Sequence, residues 1–357
     1  MQQHDDAIAR QVGRIVPGLS VVVASSDEVF TERGFGLADR ASGTAMTPDT
    51  LCNWFSMTKL VTATAVVQLA ERGALDLDAP VVRYYEPFCA MRPSSRAQQA
   101  TVRHLLSHSA GVANPFPLRW VHLANETGPS AAELVERLVS KHRRLRFDPG
   151  TKAAYTNLGY LVLGEVVTRA AAQPFSEYVR ANVLAPLGMT STDFVAVADA
   201  VADGRWAVPY QRRRTALSAL LPVLVPRAIV GAKDERFVAL HHFYVDGAAY
   251  GGLVGPATDA IRFARAHLRG GELDGVRILS EQSCRAMQTI VARGRKLEVG
   301  LGWFRRDAAP GADFVEHLGG GAGFWSCLRI FPTRDRAVVV MGNATTYDHD
   351  AVVDGVD

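Results

Sequence analysis

The feature that most constrains this sequence is the position of its strand-like segments, which lie near both ends of the chain. Leu19–Val23 and Glu28–Phe30 are short, largely β-branched or aromatic runs separated by the turn-prone residues Ser25–Asp27. Phe324–Phe331 and Ala337–Met341 have the same character near the other end. Strands at both ends with other structure between them predict one antiparallel sheet assembled from the two ends.

The residues between these ends show helical periodicity, with apolar positions recurring every three or four residues. The segments with this spacing are Ala131–His142, Leu158–Ala171, Phe175–Leu184 and Thr258–Leu268. A chain of 357 residues is long enough for two lobes. We therefore predict an α+β fold in which residues 1–75 and 246–357 form an antiparallel sheet flanked by helices, with an inserted all-helical lobe at residues 76–245. The active site is expected in the cleft between the lobes.

The charge of the chain indicates no particular class of macromolecular partner. The chain has 39 basic and 36 acidic residues, a formal charge of +3, and its basic residues are scattered along the sequence. A nucleic-acid-binding surface requires clustered basic residues, so we expect no nucleic-acid partner. The run Arg212–Arg214 is the exception, and we interpret it as a solvated loop.

Two features favour a cytoplasmic location. Residues 1–6 are polar and acidic, whereas a signal peptide begins with basic and then apolar residues. The four cysteines show no paired spacing, so free thiols are predicted. They are Cys52, Cys89, Cys284 and Cys327.

One apolar stretch, residues 217–230, raises the question of a membrane anchor. It is too short to span a bilayer and contains Pro222 and Pro226. We expect no stable membrane insertion. Two interpretations remain open for this stretch, a lid over an apolar pocket and ordinary core packing.

The segment from Ser56 to Ala70 predicts a buried helix, because it is apolar on nearly all sides and is followed by Gly73. Lys59 is the exception within it. Burial of an ammonium group is unfavourable unless the group is paired or loses its proton. Ser56 and Lys59 are three residues apart and share one helix face. A lysine whose pKa is lowered by burial can act as a base towards a serine nucleophile. The alternative is a serine that caps the helix and a lysine that extends to the surface.

Two further motifs contain polar residues next to predicted strands or helices. Tyr155 and Asn157 are two residues apart in extended chain before a helix, so both can point into a cleft, where a phenol can transfer protons and a carboxamide can bind a carbonyl. The alternative for Tyr155 is ordinary packing. The third motif, His317–Gly323, is rich in glycine next to an apolar strand, which indicates close approach of a ligand or another strand. A phosphate-binding loop is disfavoured because the motif lacks its lysine ending and following helix.

These three motifs, in this order, resemble the signature motifs of the serine β-lactamase and penicillin-binding protein superfamily. The similarity is greatest to the branch of class C β-lactamases, D-Ala-D-Ala carboxypeptidases and family VIII carboxylesterases, and it extends over most of the chain. The motifs are Ser56-Met57-Thr58-Lys59, Tyr155-Thr156-Asn157 and His317-Leu318-Gly319, and a supporting stretch is Tyr250-Gly251-Gly252-Leu253.

The resemblance implies a role for each matching residue. Ser56 would attack a carbonyl and become acylated, and Lys59 and Tyr155 would share the acid and base steps. The substrate would be bound by the residues Asn157, His317, Gly319, Gly320 and Tyr250. The backbone N–H groups of Ser56 and Gly320 would form the oxyanion hole. His317 stands where class C β-lactamases have lysine, which makes a dedicated β-lactamase less favoured.

Other candidate sites are rejected on sequence grounds. Ser109, in Ser107–Gly111, lacks the preceding strand and the leading glycine of a lipase nucleophile turn. His104 and His108, and the pair His241–His242, have no accompanying carboxylate cluster, so capping or packing is predicted for them. The implied mechanism requires neither a metal nor another cofactor.

We expect a hydrolase that acts on a small-molecule ester or amide, and small carboxylic esters are favoured. Three alternatives remain open: a D-amino-acid peptidase, DD-carboxypeptidase or weak β-lactamase; an acyltransferase to a metabolite; and a non-catalytic scaffold with the same fold.

Overall fold

A computed structural model describes residues 2–91, 99–116, 119–306 and 312–356. The α-helices in this part are α1 (Gln2–Ala9), α2 (Thr58–Glu71), α3 (Val102–Leu106), α4 (Ala131–Lys141), α5 (Asn157–Ala171), α6 (Phe175–Val179), α7 (Ala198–Ala202), α8 (Ala216–Leu224), α9 (Ala248–Gly251), α10 (Ala257–Leu268), α11 (Glu281–Gln288) and α12 (His349–Val353). The strands are β1 (Gly18–Ala24), β2 (Val29–Asp39), β3 (Thr44–Ala45), β4 (Cys52–Asn53), β5 (Val121–Leu123), β6 (Tyr210–Arg212), β7 (Val230–Lys233), β8 (Phe237–Leu240), β9 (Phe243–Val245), β10 (Val254–Gly255), β11 (Glu272–Leu273), β12 (Val276–Arg277), β13 (Ala292–Arg293), β14 (Leu297–Val299), β15 (Phe304–Arg306), β16 (Val315–Gly321), β17 (Phe324–Phe331) and β18 (Arg336–Gly342).

The largest sheet in the described residues has nine antiparallel strands in the order β13-β14-β15-β16-β17-β18-β1-β2-β3. All of its strands come from residues 18–45 and 292–342. β1 pairs with β18, with Val21 opposite Val340, so the two ends of the chain meet in the interior of the sheet. The predicted antiparallel sheet is therefore confirmed.

Both faces of this sheet are buried at its interior strand β1. Val21 and Val23 of β1 belong to a core cluster that includes residues of α1 and α12. Val22 and Ala24 belong to the larger cluster, which includes residues of α2, α5 and α10. This alternation follows from the two-residue period of a strand, and it explains why β1 has no polar face apart from Ser20.

The predicted helices and strands are present with shifted boundaries. Phe175–Leu184 divides into α6 and a π-helical turn at Arg180–Leu184. β2 extends from Val29 to Asp39, well beyond the predicted Phe30, because its middle is exposed and carries charged residues and glycine instead of an apolar alternation.

The middle of the chain is not purely helical. Between residues 76 and 245 the helices α3 to α8 are accompanied by β5, β6, β7, β8 and β9, each three or four residues long. Strands this short have too few residues for an alternation to be recognised in the sequence. The lobe boundaries at residues 75/76 and 245/246 stay a prediction. Among the helices described, none has the length and apolar character needed to cross a bilayer.

Candidate active site

Ser56 lies in a tight 3-10 turn, Phe55–Met57, that leads directly into α2. Phe55 has φ of 45°, a left-handed conformation that is rare for an aromatic residue, so the chain turns sharply just before the serine. The α-helix begins at Thr58, two residues later than the sequence predicted. Ser56 is the partly exposed residue of the otherwise buried run 50–69.

The residue before this turn, Trp54, is anchored to the segment around β10. The backbone N–H of Trp54 donates to the carbonyl of Leu253, and its indole N–H donates to the carbonyl of Gly255. Trp54 is completely buried. Because both of its donors are satisfied by one neighbouring segment, the turn that carries Ser56 has a fixed position.

Lys59 is completely buried one helical turn after the serine. Its Nζ lies 3.0 Å from Ser56 Oγ, 2.9 Å from Asn157 Oδ1 and 2.7 Å from the carbonyl oxygen of Tyr250. Burial lowers the pKa of Lys59 well below its ordinary value. The alternative in which this lysine extends to the surface is thus wrong.

Tyr155 and Asn157 reach the same point from the segment that leads into α5. The hydroxyl of Tyr155 donates to Ser56 Oγ at 2.6 Å. Burial raises the pKa of Tyr155, so its phenol keeps the proton at neutral pH. Thr156 caps α5 by accepting from the backbone N–H of Gly159, and Asn157 is the first residue of that helix. The cap fixes the direction of both neighbouring side chains.

The glycines of the third motif let strand β16 pass close to the Ser56 turn. A Cβ at Gly319 would lie 2.1 Å from the carbonyl oxygen of Trp54, and one at Gly321 would lie 2.0 Å from the ring of Phe55. Any larger residue would push the strand away from the turn. The motif is therefore part of a strand, not a loop beside one.

A cavity of about 260 Å³ opens at Ser56. It is lined by Phe55, Ser56, Phe116, Trp120, Val121, Asn157, Gln211, Leu217, Leu221, Leu224, Val225, Val245, Tyr250, Gly320, Gly321, Ala322 and Thr345. These residues are mostly apolar, and none is charged. The apolar stretch 217–230 contributes four of them, so its first part forms a wall of this cavity, and the lid stays a prediction.

The Beta-lactamase family model matches residues 4–356. The chain belongs to the β-lactamase family of serine hydrolases. Esterase EstB from Burkholderia gladioli is 34% identical over 269 residues, which cover 71% of this chain and 66% of EstB. Penicillin-binding protein 4 from Amycolatopsis lactamdurans is 29% identical over 344 residues, which cover 93% of this chain and 81% of that protein.

A solved structure supports the fold of this β-lactamase-family chain. The D-amino acid amidase from Ochrobactrum anthropi SV3, in complex with L-phenylalanine, has a TM-score of 0.78 and 22% identity. The similarity covers 99% of this chain and 97% of the amidase. At 22% sequence identity, this similarity shows that the two proteins share a fold.

The substrate contact predicted for His317 is not supported by its position. The side chain is completely buried and does not line the cavity. Its Nδ1 lies 2.8 Å from the carbonyl of Leu318, and its ring lies between Phe304 and Tyr155, with centroid distances of 4.4 and 6.3 Å. Burial lowers the pKa of His317 well below its ordinary value, so the ring is neutral. The residue that replaces the third-motif lysine thus brings no cation to the cavity.

The other predicted binding residues lie at the cavity in different ways. Asn157, Gly320 and Tyr250 line it, whereas Gly319 faces the turn before the serine. Tyr250 also accepts a hydrogen bond from Lys59 through its carbonyl oxygen, and its ring packs edge-on against Trp120 at 5.9 Å.

His108, for which capping or packing was predicted, packs against Tyr155 and supports it. The ring of His108 packs against Tyr155 with centroids 4.6 Å apart, and its Nδ1 accepts from the backbone N–H of Thr156 at 3.2 Å. Burial and the nearby Lys59 lower the pKa of His108 to about 3. A histidine in the buried segment 107–111 was the available signal, but only the fold shows which tyrosine it meets.

The rejected sites behave as packing and capping groups. Ser109 is buried, does not line the cavity, and its Oγ lies 2.9 Å from Ser107 Oγ. His104 completes the cap of α3 with Thr101, as expected. His242 stacks on Trp206 with centroids 4.2 Å apart.

One group of side chains in the described part of the chain has metal-compatible spacing: the buried Glu316 and Cys327 and the partly exposed His349. Glu316 Oε2 already accepts from the Arg329 guanidinium, at 2.7 Å from Nη2 and 2.9 Å from Nε. Because a fixed guanidinium repels a cation at that oxygen, this group is better explained as a structural ion pair.

Proposed function

We propose that this protein is a carboxylesterase that hydrolyses small apolar esters through an acyl-enzyme on Ser56. The observation that carries the proposal is the position of Ser56 Oγ, held by Lys59 Nζ and Tyr155 Oη at an uncharged, apolar cavity. A serine with a buried base and a buried acid within hydrogen-bond distance is the arrangement that nucleophilic catalysis requires.

The proposed arrangement of protons before reaction rests on the hydrogen bonds and on a neutral Lys59. In the structure Tyr155 Oη and Lys59 Nζ both donate to Ser56 Oγ, at 2.6 and 3.0 Å. With Lys59 neutral, we propose that its bond to Ser56 reverses, so that the serine O–H donates to the amine. A neutral amine has one lone pair and two N–H groups. It accepts from Ser56 and donates to its two other partners, the side-chain oxygen of Asn157 and the carbonyl of Tyr250. Lys59 therefore acts as the general base in acylation.

The proposed acylation step follows from this arrangement. Ser56 Oγ attacks the ester carbonyl carbon while its proton passes to Lys59 Nζ. The tetrahedral oxyanion accepts hydrogen bonds from the backbone N–H groups of Ser56 and Gly320. When the C–O bond breaks, Tyr155 donates its proton to the leaving alkoxide, and the Lys59 ammonium restores the proton of the tyrosine. Water then attacks the acyl-enzyme by the same route in reverse.

The lining of the cavity favours neutral esters over lactams and peptides. A penicillin or a peptide C-terminus carries a carboxylate, which is bound in proteins by fixed cations. No lysine or arginine lines the described cavity, and His317 is neutral and buried behind Tyr155. A volume of about 260 Å³ lies just below the usual range for drug-sized ligands, which suits a short acyl chain.

The test is hydrolysis of nitrophenyl acetate, butyrate and octanoate by the native protein, Ser56→Ala and the control Ser109→Ala. We expect turnover by the native protein and the control, its loss in Ser56→Ala, and an acyl adduct on Ser56 in the intact mass. Ser109 is a matched control because it is a buried serine outside the cavity.

Other outcomes separate the alternatives. Slow release of a penicilloyl adduct with little ester turnover would favour a β-lactamase or peptidase. Hydrolysis that is slow until an alcohol or amine acceptor is added would favour an acyltransferase. Absence of any Ser56 adduct would favour a scaffold.

A further inference from the structure

A second cavity, of about 610 Å³, shares no lining residue with the Ser56 cavity and is walled mainly by arginine. Its lining residues are Arg10, Arg14, Ile15, Arg212, Arg213, Arg214, Glu235 and Arg236. Six arginines and one glutamate give the lining of this concave surface a net formal charge of +5. The formal charge of the whole chain is only +3, so this concentration is local.

The fold gathers these arginines from three separate segments. They come from the end of α1 and the residues after it, from β6 and the bend that follows, and from the turn between β7 and β8. Arg236 Nη1 donates to the carbonyl of Gly13 at 2.8 Å, and the backbone N–H of Arg213 donates to the carbonyl of Arg236 at 2.8 Å. Arg212 and Arg214 are exposed, as expected for a solvated segment, but Arg212 ends strand β6, so only Arg213 and Arg214 lie in a loop.

Neighbouring acids do not neutralise this surface. Asp234, the acidic residue beside Glu235, is paired with Arg40 outside the cavity at 2.7 Å. Within the described ranges, no carboxylate lies within ion-pair distance of Arg14, Arg212 or Arg214. Like charges held together at a concave surface repel one another and raise the local concentration of anions.

We propose that this arginine-lined cavity is a binding site for a multiply charged phosphate-type anion. Guanidinium groups present paired N–H donors that match phosphate oxygens, and several of them around one concavity suit a ligand with several negative charges. The volume exceeds that of the Ser56 cavity, so a di- or triphosphate group, or the headgroup of an anionic phospholipid, can be accommodated.

The site is separate from the proposed ester chemistry although one strand borders both cavities. In β6, Gln211 lines the Ser56 cavity and the next residue, Arg212, lines the arginine cavity. Successive residues of a strand point to opposite faces, so anion binding requires no residue of the catalytic site. Ser56→Ala should therefore bind the anion as the native protein does.

The test is calorimetric titration of the full chain with pyrophosphate at low ionic strength. We expect saturable binding with one site per chain, weakened at least about tenfold in Arg212→Gln/Arg214→Gln, since each charge-assisted hydrogen bond contributes substantially. The control Arg144→Gln/Arg295→Gln removes the same charge from two exposed arginines outside the cavity and should change the affinity by about twofold or less. Arg14→Gln provides a second test from a different segment.

A vesicle experiment identifies the source of the phosphate. Cosedimentation with phosphatidylglycerol vesicles but not with phosphatidylcholine vesicles, lost in Arg212→Gln/Arg214→Gln, would identify a lipid headgroup, and pyrophosphate binding without vesicle binding would identify a soluble phosphate. The proposal is overturned if the native protein binds neither, or if the two double variants lose binding equally. Pyrophosphate binding and vesicle binding are both measured without ester hydrolysis, so their failure is distinguishable from failure of the proposed esterase function.

Discussion

At the scale of single residues, Lys59 shows how a group that is buried for catalysis lowers the stability of the folded protein. Its pKa is lowered because burial disfavours the ammonium form, and the neutral form is the one that can accept the proton of Ser56. An ordinary surface lysine has its pKa near 10.4 and is almost fully charged at neutral pH. The same burial that makes the amine a base therefore makes the folded state less favourable at pH values where an unfolded lysine is protonated.

This conflict predicts a pH-dependent difference between the native protein and Lys59→Met. Between the lowered pKa in the folded state and the ordinary value of 10.5, the unfolded chain binds more protons than the folded protein. The free energy of unfolding of the native protein should therefore rise with pH relative to that of Lys59→Met, by at most about 1.4 kcal/mol per pH unit. Denaturant unfolding at pH 6 to 9 measures the difference.

Lys141→Met is the control, because Lys141 is exposed on α4 and should give curves parallel to those of the native protein. Parallel curves for Lys59→Met would mean that Lys59 stays an ammonium in the folded state. In that case its three hydrogen-bond partners all accept, and the base would have to be Tyr155.

At the scale of elements, the site depends on how closely β16 approaches the turn before α2. The packing allows no side chain at Gly319, where a Cβ would meet the carbonyl oxygen of Trp54 at 2.1 Å. Trp54 cannot move away easily, since both of its N–H groups are bound to the segment around Leu253. The distance between the strand and the serine is thus determined by the backbone.

Gly319→Ala should consequently lower kcat/KM for ester hydrolysis by about a hundredfold, because a displacement of about 1 Å at a catalytic centre has effects of that size. The matched control is Gly251→Ala, which also faces the turn but whose Cβ would lie at an ordinary 3.5 Å from Phe55. Steady-state kinetics measure kcat/KM for Gly319→Ala and Gly251→Ala, and the thermal midpoint is recorded for each variant. Equal effects of the two substitutions would show that the close approach at Gly319 has no special importance.

The elements also show where sequence patterns suffice. α5 and β17 were predicted within a residue because each presents a long, regular apolar pattern. The glycine-rich part of β16 was not recognised as strand, since glycine has no side chain to alternate and its presence here reflects contact with a distant turn. The strands β5 to β9 were missed because three or four residues carry too little periodicity.

At the scale of the whole molecule, the motifs predicted the core of the site but not its surroundings. Ser56, Lys59, Tyr155 and Asn157 meet as expected, because the turn that carries Ser56 leads directly into the helix of Lys59 and the second pair shares a capped segment. The support from His108 is a contact between distant segments, and no local pattern specifies it. The arginine cavity was overlooked for the same reason, since its arginines come from three parts of the chain.

The sheet joins the two parts of the chain, and the first and last described helices lie close together. β1 is flanked by β18 and β2 in the interior of the sheet, whereas α1 packs against α12 on one face. Gln11 and Asp348 bind each other twice, with Nε2 donating to the Asp348 carbonyl at 2.9 Å and Oε1 accepting from the Asp348 N–H at 2.7 Å. Ends that are close in space can be joined without disturbing a fold.

A circular permutant should therefore keep the fold and the site. The ends would be joined by a flexible Gly/Ser linker, and the chain opened between Asp274 and Gly275, in the exposed turn of the separate β11–β12 hairpin. We expect ester turnover within about tenfold of the native rate and a thermal midpoint only moderately lower, because no strand of the main sheet is cut.

The comparison is a chain without residues 1–24, which lacks β1 and should fail to fold because β2 and β18 lose their common partner. A folded, active deletion variant would show that the remaining strands close the sheet without β1, and an unfolded permutant would show that the order in which the two halves are synthesised matters as well as their contacts.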